Sequence, residues 1–309
     1  MPLVSVIIIS YNMAREVPRT VTSFLPPYQK NLRPEDVEVI VIENGSSIPI
    51  PETVRSQWPD TVKYVNLEDA HPSPAIALNL GASMASAPVV CPVIDGARMA
   101  SPGLLHWGLK TLRGHDRTIV SSVGFHLGKK LQQFAVEEGY NQDEEDALLA
   151  SINWPARGYK LFEICALAGS SKFAWFGQVH ESNAPLVPKS LYTEIGGFDE
   201  AFDIPGGGLV NLDFLNRLVD APDTEYFALL GEGTFHQFHG GVTTSRPVNR
   251  PEADGITTWE KYAAQYRRLR GYDYRAPSRQ PTFCGHFPIE ASKIMYVGLF
   301  DMMKERGIV

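Results

Sequence analysis

The chain has 309 residues, 44% of them hydrophobic and 20% charged, an ordinary soluble balance with enough apolar material for one large α/β domain or two smaller ones. Its net charge of -7 excludes a bulk nucleic-acid binder, because a phosphate backbone requires an excess of Lys and Arg. Three widely spaced cysteines, Cys91, Cys165 and Cys284, make neither a disulfide framework nor a C-x-x-C metal pair, and they fit a reducing compartment.

The first apolar run, LVSVIIIS at 3–10, is too short to span a bilayer and lacks the charged and small-residue flanks of a signal peptide. The expectation is therefore a cytoplasmic protein with no integral membrane segment. The run reads as a strand buried on both faces. Residues 13–25 follow as a helix, and VEVIVIENGSS at 37–47 as a second buried strand ending in an Asn-Gly turn. VKYVNL at 62–67 is a third strand, AIALNLGASMA at 75–85 a small-residue helix, and APVVCPVID at 87–95 another buried strand. Strand–helix–strand units at this rhythm predict an α/β, Rossmann-like domain with a mostly parallel central sheet flanked by helices. Ligands of such sheets bind beyond the carboxyl ends of the strands. Ser10, Tyr11 and Asn12, then Glu43 and Asn44, then Asp95 fall at those ends.

The second half is less regular. Residues 129–150 read as an acid-rich helix whose charges, Glu137, Glu138 and the run 143–146, face water. Residues 170–210 are loop-rich, FLNRLVDA at 214–221 is a helix, and 257–271 is an amphipathic helix started by Thr257 and stopped by Gly271. Its basic residues Lys261, Arg267, Arg268 and Arg270 are expected on a solvated face. The organisation read from this pattern is a nucleotide-type half at 1–105, a substrate-type half of the same domain at 106–245, and a C-terminal helical extension at 246–309. G-x-G-x-x-G after the first strand, a P-loop and a G-x-S-x-G elbow are all absent. That disfavours a dinucleotide enzyme, a P-loop NTPase and an α/β-hydrolase.

Five separated pieces carry a stronger signal through their order: VSVIIISYN, VIVIENGSS, ALNLGASMASAPVVCPVIDGA, YTEIGGFDEAF and GGGLVNLDFLNRL. Together, over roughly residues 3–245, they resemble the family 2 glycosyltransferases of GT-A fold. The resemblance implies transfer of a sugar from a nucleotide-diphospho-sugar, with a UDP-, GDP- or dTDP-linked donor, inversion at the anomeric carbon and an unknown acceptor. It also implies a Mn²⁺ or Mg²⁺ ion on the donor diphosphate. Hard cations of this kind take oxygen ligands and offset the charge of the leaving group. A homodimer is compatible with the sequence.

Carried over by residue, the resemblance gives Ser10, Tyr11, Asn12, Glu43, Asn44, Asn79, Asp95 and Gly96 to the nucleotide-sugar. Asp95 matches the first acid of the family's D-x-D motif, and Ala97 stands where the second belongs. His236 and His239, beside Gly240-Gly241, are the replacement metal ligands, completing an Asp95, His236 and His239 set. At the family's acid pair stand Val210 and Asn211. Asn cannot take up a proton, so Asp213 is the expected catalytic base, with Asp199 shaping the acceptor side. Trp175, Phe176 and the stretch Glu181-Ser182-Asn183 offer faces and polar groups to a sugar. A non-catalytic sugar-nucleotide or glycan-binding protein on a degenerate GT-A site is the rival reading. A nucleotidyltransferase is a second rival, but SYNMAREVPRT lacks its Gly-rich basic loop.

Overall fold

The computed structural model describes residues 1–241 and 250–309. Its elements run β1 (Val4–Ser10), α1 (Val17–Phe24), β2 (Val37–Asn44), α2 (Glu52–Arg55), β3 (Val62–Leu67), α3 (Ala75–Met84), β4 (Val89–Val93), β5 (Arg98–Ala100) and α4 (Leu104–Leu112). Then follow β6 (Thr118–Leu127), α5 (Gln132–Ala135), α6 (Gln142–Ile152), β7 (Cys165–Leu167), β8 (Val187–Pro188), α7 (Lys189–Glu194), α8 (Val210–Asp220) and β9 (Glu225–His236). The chain closes with α9 (Thr258–Arg270), β10 (Thr282–Gly285) and α10 (Ser292–Glu305).

The α/β expectation holds, with two sheets where the sequence suggested one. The first has the order β3-β2-β1-β4-β8 and is parallel except for β8. Every residue of β1 and β2 is buried. Ile7, Ile9, Ile40 and Ile42 pack against α3, α7, α8 and α9, while Val6, Ile8, Val39 and Val41 pack against α1 and α4. This period-2 split across two covered faces is why both strands are β-branched throughout. Each such side chain contributes roughly 1.5–3 kcal/mol of burial.

The second sheet has the order β10-β9-β6-β7, with β5 paired antiparallel to β9. Its long strands β6 and β9 were not legible in advance. Ser121 and Ser122, with a register shift between Ser121 and Val123, and the sequence Gly231-Glu232-Gly233 interrupt the alternation that marks a strand.

Other boundaries shift for local reasons. α1 begins at Val17, after a turn from Met13 to Glu16, with Pro18 in its first turn. The helix expected over 129–150 is broken at Gly139 and restarted by Asn141, whose side chain accepts from the N–H groups of Asp143 and Glu144. The helix expected at 214–221 starts earlier, at Val210. α9 matches its prediction, with a capping box between Thr257 and Glu260 and a left-handed Gly271. The last segment is more than a helical extension. β10 joins the second sheet, and Tyr262 and Tyr266 of α9 lie in the core beside the first. The boundary drawn at 245/246 and the end of GEGTFHQFHGGVTT lie outside the described residues.

Candidate functional site

At the carboxyl ends of β1 and β2 the paired residues Ser10 and Glu43 stand side by side. Tyr11 is 57% exposed, free to offer its ring to a planar ligand. Asn12, at φ 54, bridges the two strand ends. Its N–H donates to Ser46 Oγ at 2.6 Å, and its Oδ1 accepts from the N–H of Ser47 at 2.9 Å. Glu43 is fully buried beneath them, accepting from the Ser46 hydroxyl, the Ile50 N–H at 3.0 Å and the Tyr64 hydroxyl at 3.3 Å. Asn44 donates to the carbonyl of His71 at 2.9 Å. The structure thus brings the first two predicted pieces together as one loop platform, with Glu43 as its internal anchor.

β4 delivers Asp95 next to this platform. The turn after it presses against β1, and a side chain at Gly96 would start 2.3 Å from the Ile9 carbonyl oxygen, a separation only glycine permits. Ala97 N–H donates to Asp95 Oδ1 at 2.9 Å, which turns Oδ2 toward β9. There Oδ2 meets His236 Nε2 at 2.8 Å and His239 Nε2 at 3.4 Å. The two ring nitrogens are 3.2 Å apart, and the three ligand-type atoms lie within 4.8 Å of one another.

Gln132 decides the state of His236. Its Nε2 donates to the His236 carbonyl at 2.9 Å, so its Oε1 is the atom facing His236 Nδ1 at 2.6 Å. Nδ1 must then carry the proton, leaving the Nε2 lone pair turned toward Asp95. A carboxylate oxygen and two imidazole nitrogens converging, with one ring oriented by a second acceptor, is the chemistry of a divalent-cation site. Burial opposes ionisation of Asp95, but the neighbouring His239 outweighs it and holds the carboxyl well below its usual range. Burial presses His236 down to about 4 despite Asp95. At the less confined His239 the carboxylate prevails over burial and the pKa rises.

The turn between the two histidines is gripped from both sides. Phe238 N–H donates to Glu145 Oε2 at 2.7 Å, and Arg15 Nη1 donates to the Phe238 carbonyl at 3.3 Å. Glu145 belongs to the acid run expected to face water, yet it is fully buried, and burial raises its pKa to about 7 despite Phe238 and Arg15. The other acids behave as expected, Glu137, Glu138, Asp143 and Glu144 being exposed and Asp146 partly so.

Other residues expected at the site have partners of their own within the fold. Asp213 is 1% exposed, and both its oxygens are taken by guanidinium groups: Arg217 at 2.7 Å, and Arg270 at 2.6 and 2.7 Å. It is not a helix cap, since α8 begins three residues earlier. Buried, with both oxygens held by guanidinium groups, Asp213 serves as the centre of an ion-pair network within the fold. Arg270 also reaches Asp199 at 2.7 Å, which takes it off the solvated face. Arg217 donates to the carbonyls of Ile195 and Gly197, so this network holds the Gly-Gly-Phe-Asp loop in place.

Asn79 is spent on the same loop. Its amide donates to the Phe198 carbonyl and Glu200, and accepts from Tyr192 and the Phe198 N–H. That leaves it poorly placed to hold a donor. Trp175 is 4% exposed, packed by tilted and edge-on contacts in a core of Phe125, Phe162 and Phe287, so it offers no face to a sugar. Asn211, at the expected acid position, donates to Glu181 Oε1 at 3.0 Å and Asn183 Oδ1 at 3.3 Å. Sequence reasoning passed over Gln132, Glu145, Arg15 and Arg98. Only Arg98, a charge inside an apolar strand-end run, left a visible signal.

A parallel sheet whose strand ends carry a loop platform, abutting a second sheet that supplies histidines to the same edge, is the arrangement of a GT-A type of fold. Residues 5–123 match the family model described as Glycosyl transferase family 2. Over 228 residues the chain is 27% identical to validoxylamine A glucosyltransferase of Streptomyces hygroscopicus subsp. limoneus, covering 69% of this chain and 47% of that protein. The same enzyme of subsp. jinggangensis matches at 27%, with 51% of it covered. The chain thus spans about half the length of the curated relatives it matches. Among solved structures, residues 1–349 of S. aureus TarS in complex with UDP superpose with a TM-score of 0.50 at 13% identity, covering 76% of this chain and 60% of that one. That likeness shows the fold. The chain is thus similar to the family 2 glycosyl transferase model over its first part, to two glucosyltransferases over 228 residues, and to TarS in fold. Among the described residues no helix is long and apolar enough to cross a membrane.

Proposed function

We propose that the chain transfers a sugar from a nucleoside-diphospho-sugar to an acceptor hydroxyl, by single displacement with inversion, assisted by a divalent cation. The observation that carries this is the convergence of Asp95 Oδ2, His236 Nε2 and His239 Nε2 at the strand ends where this fold receives its donor. Asp95, His236 and His239 would hold Mn²⁺ or Mg²⁺, which when bound supplies positive charge to a departing diphosphate. Tyr11 offers a face to the nucleobase, and the Asn12–Ser46–Glu43 platform shapes the pocket beneath it. The family match and the glucosyltransferase relatives support sugar transfer. The UDP and UDP-GlcNAc complexes of TarS put UDP-linked donors first among those to try.

In the transfer, the acceptor oxygen bonds to the anomeric carbon as the bond to the diphosphate breaks, through an oxocarbenium-like transition state. The hydroxyl proton needs an acceptor on the opposite face of the sugar. With Asp213 paired twice, we assign that role to Glu181, the half-buried carboxylate that Asn211 reaches. The nucleotide-type and substrate-type division at 1–105 and 106–245 remains our reading of how the cleft is shared.

The rival is a binding protein without turnover, favoured by the double pairing of Asp213 and by Asn211 at the acid position. A panel of UDP-, GDP- and dTDP-sugars, assayed for hydrolysis with Mn²⁺, separates the two. Turnover that is lost in Glu181→Gln while nucleotide affinity is kept supports the enzyme. Nucleotide binding with no hydrolysis of any donor supports the rival.

A further inference from the structure

Strand pairing sets Arg98 and His126 on either side of His236, so the three share one face of the second sheet. One step along that face lie Ala100, Thr234 and Gly124. Arg98 crosses this floor of small residues diagonally. Its Nη1 lies 3.8 Å from the point where a side chain on Gly124 would begin, and Asn183 Nδ2 lies 3.3 Å from the same point. The small residue at 124 therefore leaves room for two nitrogen donors to approach each other.

Arg98 is only 8% exposed, yet it forms no ion pair with a carboxylate among the described residues. Among the described residues, its Nε and Nη1 are buried without a hydrogen-bond partner, and so is Thr234 Oγ1. The other arginines near the cleft differ: Arg15, Arg217 and Arg270 each pair with Asp or Glu. The polar residues that strand pairing and Gly124 place beside Arg98, namely His126, His236, Thr234 and Asn183, include no acid. Asn183 accepts from Asn211 through Oδ1, which turns its own donor nitrogen the other way. A desolvated guanidinium with free N–H groups, flanked by an amide donor and a hydroxyl, is costly to keep unless an anion completes it.

We propose that Arg98 is a recognition residue for a substrate oxyanion, phosphate or carboxylate, bound beside the Asp95–His236–His239 cluster with Asn183 and Thr234 as further donors. The inference rests on reading this cleft as the substrate site. The oxyanion belongs either to the donor's diphosphate or to an acidic group on the transferred sugar or the acceptor.

The test uses the whole chain without divalent cations and with a chelator, so that the fate of the metal site does not enter. Wild type, Arg98→Met and Arg98→Lys are titrated calorimetrically with inorganic pyrophosphate and with glucuronate, against chloride at equal ionic strength. Arg98→Met should melt at or above wild type, because it removes an unpaired buried charge. It should also bind the recognised probe about tenfold to a hundredfold more weakly, the worth of a charge-assisted contact. Arg98→Lys should fall between the two. Dependence on Arg98 for pyrophosphate alone assigns the donor diphosphate; dependence for glucuronate assigns an acidic sugar or acceptor group. Equal binding of both probes by wild type and Arg98→Met would overturn the proposal. So would wild type binding neither probe, a measurement that stands even if Arg98→Met does not fold.

Discussion

Glu232 offers a quantitative test of how the second sheet is held. It sits in β9, four residues before His236, fully buried, and accepts from the Ser101 hydroxyl, the Gly103 N–H at 3.2 Å and the Tyr159 hydroxyl at 2.7 Å. These contacts fasten β9 to the turn that follows β5, through Ser101 and Gly103, and to the segment 158–164, through Tyr159. Burial raises its pKa from 4.5 to about 7, against the pull of those donors. A carboxyl raised on folding favours the native state most below about pH 4.5, and that advantage drains away as pH climbs to about 7. The span corresponds to about 3 kcal/mol at one pKa unit per 1.36 kcal/mol. Glu232→Gln keeps the shape and one acceptor but cannot titrate. Urea unfolding of both proteins at pH 5 and pH 8 isolates the effect, because Glu145, raised in the same direction, contributes equally to each. Wild type should lose roughly 2–3 kcal/mol more than the variant between the two pH values, since pH 5 already lies above the unfolded pKa. Parallel losses in the two proteins would refute the assignment of Glu232 as a buried, proton-holding carboxyl.

Two further outcomes follow from the same geometry. Arg270→Met leaves Asp213 buried with Arg217 alone and should cost about 3 kcal/mol in denaturant unfolding. Adding Asp213→Asn should restore part of that loss in a double-mutant cycle, and additive losses would contradict the ion-pair role. Gln132→Ala frees the His236 ring to take the other tautomer, and Mn²⁺ affinity measured by calorimetry should fall about tenfold to a hundredfold. An unchanged affinity would remove Gln132 from its orienting role.

The parallel sheet was legible because burial on both faces leaves an unbroken β-branched signature in β1 and β2. The strand ends followed from it, and with them the platform of Asn12, Glu43 and Ser46. The meeting of Asp95 with His236 and His239 spans more than a hundred residues of sequence, and a D-x-D fragment beside a late His pair is a pattern, not a distance. What stayed hidden depends on tertiary partners. Asp213 looked like a free acid because Arg217 and Arg270 approach from α8 and α9. Glu145 looked solvated because its neighbours in the acid run are. Gln132 has no motif at all, since its role comes from lying between the His236 carbonyl and ring. β6 and β9 escaped notice because serines and glycines sit where alternation should show.

The central claim is a cation-assisted donor site built on Asp95, His236 and His239. Mn²⁺ titration followed by electron paramagnetic resonance, with and without UDP, GDP or dTDP, tests it most directly in wild type, Asp95→Asn and His236→Ala. Our account predicts a single Mn²⁺ site in wild type, tightened by one of the nucleotides and abolished in both variants while their folds persist. Undiminished Mn²⁺ binding in Asp95→Asn, or no nucleotide effect with any of the three, would contradict it.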